Sequence, residues 1–260
     1  MMKAAAAVAV IAVLATAFFL QADDAGQQEI KTDTGIEETL VSHTYSWVYE
    51  RERYVLTAEF SQSEYLAARA ENRGTVTLSS YADYIDCRSV SALAESLAEY
   101  TDDTPAFILS FVQSLEYIDD YESTGYQEYP KYPIETLVDG GGDCEDVAAL
   151  YSSLMGALGY DTALIYIPTS ATTAHMVSGI AGDFTGAGLY DSSRTKYFIA
   201  ECTARWEIGD VPQGVVFDPE LCLVLKGGHT LASDKIVSTN HLPIDITELR
   251  EDLISAGGMR

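Results

Sequence analysis

Beyond residue 160 the chain carries four apolar runs of strand length in succession, "TALIYIP", "HMVSGI", "KYFIAECTA" and "VVFDPELCLVL", with no helical pattern between them. The helical patterns come earlier. Leu93 and Leu97 share one face in "SVSALAESLAEY", and Phe107, Phe111, Leu115 and Ile118 share one in "TPAFILSFVQSLEYIDD". A third stripe, Val147, Leu150, Tyr151, Leu154 and Leu158, runs from Cys144 to a stop at Gly159. Helices followed by consecutive strands predict an α+β fold with an antiparallel sheet. In front of them, "HTYSWVYERERYVLTAEF" reads as a hairpin of two strands, Tyr45 to Tyr49 and Tyr54 to Phe60. The segment "STGYQEYPKYPIETLVDGGG", broken at Pro130 and Pro133, reads as a long ordered loop feeding Cys144. With 260 residues, 47% of them hydrophobic, the chain can bury a full core.

The start places one cation, Lys3, before an uninterrupted apolar run from Ala4 to Leu20. That is the pattern of an export signal, cleaved near Ala15 and Ala17 or kept as a membrane anchor, and both place the rest of the chain outside the cytoplasm. Residues 1–22 are thus read as signal or anchor and 23–42 as a flexible acidic linker. The hairpin and helical extension follow over 43–103, a core over 104–212, and a C-terminal extension over 213–260. Forty acidic against fifteen basic residues give a formal charge of -25. Such a chain repels nucleic-acid phosphates, so no nucleic acid is expected as a partner.

Cys144 stands at the start of its helix, behind Gly140, Gly141 and Gly142 and with Asp143 as N-cap. The unpaired N–H groups and positive dipole end there favour a thiolate, and the glycines leave room for a substrate backbone. Asp143, Glu145 and Asp146 oppose it by charge, so a reactive thiol needs a basic partner. Among the four histidines, His175 opens a strand; His43 lies near the linker, and His229 and His241 lie in loop-like contexts. Glu201 is a charged residue in an otherwise apolar strand and therefore needs a partner. Alternation places Tyr197, Ile199, Glu201 and Thr203 on one face and Cys202 on the other, as buried filler. With Cys144 kept as a thiol, Cys87, Cys202 and Cys222 allow one disulfide at most. No HExxH, CxxC pair or P-loop occurs, so no cofactor and no metal is called for, and the acids around Cys144 read as helix capping rather than calcium ligands.

The order of Cys in "GGDCEDVAAL", His in "AHMVSGI" and an acid in "YFIAECTA" resembles the transglutaminase-like superfamily of papain-related thiol enzymes, and "GDCED" resembles its bacterial cysteine peptidases. Exported archaeal members are similar around "FVQSLEYIDD", "YPKYPIETL" and "WEIGDVP". The resemblance spans about Thr104 to Pro212. It implies a nucleophile helix packed on an antiparallel sheet, with Cys144 as nucleophile, His175 as base and Glu201 as orienter. The family usually has Asp in the third place, so Glu201 is a departure, with Asp191 as the fallback. Gln113 is the candidate oxyanion donor beside the Cys144 N–H. The implied activity is thiol-dependent hydrolysis of an amide in a peptide or protein. Transfer of the acyl group to an amine, or a binding domain that retains only the scaffold, are the alternatives.

Overall fold

A computed structural model describes residues 7–12, 38–170, 173–211, 217–227 and 234–239. Strand β1 (Ala7–Ala12), inside the apolar leader, runs parallel to β3, from Ala7 opposite Tyr54 to Ala12 opposite Glu59. The rest of the leader and the chain to residue 37 lie outside the described residues, and so does most of the signal and linker expectation. Among the described residues no helix is long and apolar enough to cross a membrane. Strands β2 (Leu40–Tyr49) and β3 (Glu52–Ser61) form the hairpin, paired without a break from Leu40 opposite Ser61 to Tyr49 opposite Glu52. Strand alternation turns Tyr45 and Trp47 inward, where both are buried. The connecting pair, Glu50 and Arg51, takes positive φ of 48° and 69°, the twist that a two-residue hairpin turn requires.

Helix α1 (Gln62–Ala70) begins at Ser61, whose hydroxyl accepts from the Glu64 N–H at 3.1 Å. Strand β4 (Thr75–Thr77) and a 3₁₀ turn at Ser79–Tyr84 lead to α2 (Ser91–Ala98), where the apolar spacing predicts it, and to α3 (Thr104–Val112), which stops short of the predicted face and leaves Leu115 and Ile118 beyond its end. Then come β5 (Glu116–Tyr117), α4 (Asp120–Thr124), α5 (Pro133–Asp139), β6 (Gly141–Gly142) and α6 (Cys144–Ala157). Helix α5 corrects the reading of a loop up to Cys144. Pro133 opens the helix, at a position where a missing N–H costs nothing, and the Glu135 carboxylate reaches back to the Tyr132 N–H at 2.9 Å.

Strands β7 (Thr162–Pro168), β8 (Ala174–Ile180), β9 (Gly188–Tyr190), β10 (Lys196–Ala200) and β11 (Leu223–Leu225) form an antiparallel sheet in the order β11-β7-β8-β10-β9. Strand β9 lies within "AGDFTGAGLYDSSRT", which reads in sequence as the loop separating the second and third apolar runs. Strand β10 ends at Ala200, so Glu201 sits just past the strand, and the alternation expected through Thr203 stops there. Strand β12 (Ile236–Thr239) pairs with β4.

Helix α6 packs on β7 and β8 and is buried nearly all round, not along one stripe alone. Its non-stripe positions are small, Ala148, Ala149, Ser152 and Ser153, and the serines are satisfied. Ser152 bonds Ser178 of β8 at 2.6 Å, while Ser153 donates to the Ala149 carbonyl at 2.7 Å and accepts from the Asp86 N–H at 2.9 Å. The fold is therefore α+β, with the cysteine-bearing helix laid against an antiparallel sheet. One core joins Tyr45, Trp47 and Leu56 of the hairpin, Phe107 and Phe111 of α3, and Leu150, Tyr151 and Leu154 of α6.

Candidate active site

Cys144 occupies the first turn of α6, half-buried, where the helix leaves its N–H without an intrahelical partner. Asp143 is the N-cap residue, and the Asp146 carboxylate accepts from its N–H at 3.3 Å. His175 is the second residue of β8, three-quarters buried, and its Nε2 lies 2.7 Å from Glu201 Oε2. Cys144 is the other group that acts on the ring, and with Nε2 turned to Glu201 the nitrogen left to meet it is Nδ1. The other Glu201 oxygen accepts from the Thr203 N–H at 2.8 Å and its hydroxyl at 2.6 Å. Cys144, His175 and Glu201, drawn from α6, β8 and the turn after β10, are thus brought to one place, with His175 bonded to Glu201.

Burial pulls the His175 imidazole down, but its bonds to Cys144 and Glu201 and the charge of both outweigh burial and push it up to about 10. Burial works to raise Glu201, and the bonds and charge of His175 with the two Thr203 donors hold it below the ordinary carboxylate range. An ionised Glu201 therefore accepts from Nε2–H, which fixes the ring orientation and supports its cationic form.

The other site expectations fall elsewhere. Gln113, the α3 C-cap, donates its amide to the carbonyls of Glu201 at 2.8 Å and Trp206 at 2.9 Å, so both amide protons are taken and neither is left for an oxyanion. Asp191 is half-buried and folds onto its own turn, accepting from the Ser193 and Thr195 N–H groups, each at 2.9 Å. Its carboxylate is the centre of a turn, not an alternative orienter. The three glycines serve packing before substrate approach: Gly140 has φ of 77°, and a Cβ on Gly141 would lie 2.1 Å from the Glu116 carbonyl of the paired β5. Cys87, Cys144, Cys202 and Cys222 are all free, and Cys202 is buried as expected.

The Cys144 thiol donates to Glu145 Oε2 at 3.1 Å, and behind Glu145 lies a group that the spacing does not reveal. Asp120 and Glu128, from α4 and the segment after it, join Asp143, Glu145 and Asp146 in two overlapping trios, Asp120–Asp143–Asp146 and Asp120–Glu128–Glu145. One oxygen of each trio member lies within 4.8 Å of the others. Burial and then Asp143 raise Asp120 to about 8; burial foremost raises Asp143 to about 6. Burial with Cys144 and Asp143 pushes Glu145 well up, and burial with Asp143 and Asp120 does the same to Asp146. Asp120 Oδ1 and Asp143 Oδ1 are buried without a hydrogen-bond partner. The cation beside them is Lys131, wholly buried, with Nζ 3.7 Å from Asp146, 3.6 Å from Asp139 and 3.3 Å from the Gly141 carbonyl. Lys131 sits between two prolines in "YPKYP", and that confinement is the one sequence signal that marks it.

No protein-family model and no curated protein matches the chain. Among solved structures it is similar to Legionella pneumophila LapG in a calcium-bound form, with 20% identity and a TM-score of 0.37 over 56% of this chain and 81% of that one. A candidate cysteine protease from Cytophaga hutchinsonii aligns over 80% of this chain and 81% of its own, with 13% identity and a TM-score of 0.38. Superpositions this loose establish neither fold nor activity; the fold rests on the packing of α6 against the sheet.

Proposed function

We propose that the chain is an exported thiol-dependent amide hydrolase of the transglutaminase-like kind, acting on peptides or proteins. The observation that carries this reading is the His175 ring held between Cys144 and a buried, ionised Glu201 at 2.7 Å. In the reaction, His175 Nδ1 takes the Cys144 proton and the sulfur attacks the amide carbon. The N–H of Cys144 donates to the oxygen that gains charge. The imidazolium then gives its proton to the departing amine, leaving a thioester. Water, deprotonated by the same nitrogen, attacks the thioester to release the acid and restore the thiol.

The test is alkylation by iodoacetamide, read cysteine by cysteine, with Cys87, Cys202 and Cys222 as internal references. Cys144 is expected to react fastest near about pH 6, and His175→Ala to slow it by about 10²-fold or more. Equal reactivity of Cys144 with and without His175 sinks the proposal. With peptide amides, a thioester on Cys144 that water discharges to the free acid supports hydrolysis; discharge only to an added amine assigns acyl transfer.

The acid group supports a second element. Carboxylates alone, two of them with orphaned buried oxygens, fit a hard divalent cation such as calcium, held by Asp120, Glu128, Asp143, Glu145 and Asp146. Bound there, it would add positive charge beside the nucleophile to that of Lys131, which pairs with Asp146 alone of the five. Calorimetric titration with calcium after chelation checks it; a flat titration removes the ion from the reading.

A further inference from the structure

Gln113, the C-cap of α3, ties together two pieces of backbone from outside their own turn. Its own N–H closes the end of α3 on the Leu109 carbonyl at 2.9 Å, which anchors the residue. Its side chain then crosses to the turn after β10 and meets the carbonyls of Glu201 and Trp206 at 2.8 and 2.9 Å. Both partners are acceptors, so the amide nitrogen must face them, and both its protons are satisfied. Helix α3 packs on α6, the helix that carries Cys144. The amide therefore bridges the helix layer holding the nucleophile and the turn holding the acid.

Resting on the triad reading above, we propose that Gln113 is a positioning residue, holding the Glu201 backbone so that its carboxylate stays on His175. Glu201 lies beyond the last ladder pair of β10, at Ala200 opposite Ser178, so the sheet no longer fixes its main chain. Thr203 restrains one carboxylate oxygen from within the same turn and moves with it. Gln113 is a restraint on the Glu201 main chain that comes from another element. Freed from it, the turn shifts, and the His175–Glu201 bond lengthens before the fold is lost.

The experiment is an NMR titration of the His175 ring in the full chain, paired with Cys144 alkylation near about pH 6, in wild type and in Gln113→Leu. The variant is expected to lower the His175 midpoint by about one pH unit or more, a tenfold loss of proton affinity, and to slow alkylation about tenfold with circular dichroism unchanged. An unmoved midpoint and rate, even with a lower melting temperature, overturn the positioning role and leave Gln113 a packing residue. A wild-type His175 that titrates near about 6.5 overturns the triad itself, which separates that failure from this one. Should the leucine variant not fold, Gln113→Asn withdraws the amide by one methylene, and the same midpoint shift or its absence decides.

Discussion

At the scale of single residues, the site depends on a glutamate reaching back from beyond its strand. Its side chain spans the distance from the turn to His175 at 2.7 Å, a reach that an aspartate at the same position lacks by one methylene. Glu201→Asp is expected to weaken the bond and slow Cys144 alkylation by about tenfold or more, and Glu201→Gln, which keeps the length and loses the charge, by about 10²-fold. A faster Asp variant would mean that the turn adjusts to the shorter side chain. Lys131 offers a separate prediction. Lys131→Met leaves Asp146 and Asp139 without their buried cation and is expected to cost roughly 3–5 kcal/mol in urea unfolding, less with calcium present. Cys144, His175 and Glu201 were legible because each is out of character locally: a thiol behind a cap, a ring at a strand start, a charge in an apolar run. Asp120 and Glu128 look ordinary in sequence, and only the fold brings them to Glu145.

Elements were legible where one periodicity dominates, as in α3, α6 and β7. They were hidden where a single residue has two meanings. Pro133 stops a helix from its interior and starts one from its first position, and α5 uses the second meaning. Strand β9 is three residues long, too short for alternation to register. The hairpin turn makes a prediction of its own. Glu50 and Arg51 carry positive φ without being glycine or asparagine, a conformation that costs about 1 kcal/mol or more per residue. Replacing the pair by Asn-Gly is expected to raise the urea midpoint without changing its slope, and a lower midpoint would show that the two side chains hold contacts worth more than the strain.

At the scale of the whole molecule, the direction of the raised groups sets how stability follows pH. His175, lifted to about 10, contributes stability that is complete below about pH 6.5 and lost as pH rises through 10. Asp143 at about 6 and Asp120 at about 8 keep protons that the unfolded chain releases near about pH 4, so stability again falls as pH climbs through those values. Both act in the same sense: the calcium-free chain is expected to melt at a lower temperature at pH 9 than at pH 5, and the opposite order would mean that these groups are not held as described. The shared core has a further result. Tyr45, Trp47 and Leu56 line the same interior as Leu150 and Tyr151, and the Tyr45 hydroxyl donates to the Leu137 carbonyl of α5 at 2.6 Å. A chain begun at Thr104 would keep Cys144, His175 and Glu201 yet open that interior to water, so the smallest piece that folds on its own includes the hairpin. A protein that shed the front of this molecule would dissolve the helix that presents the thiol.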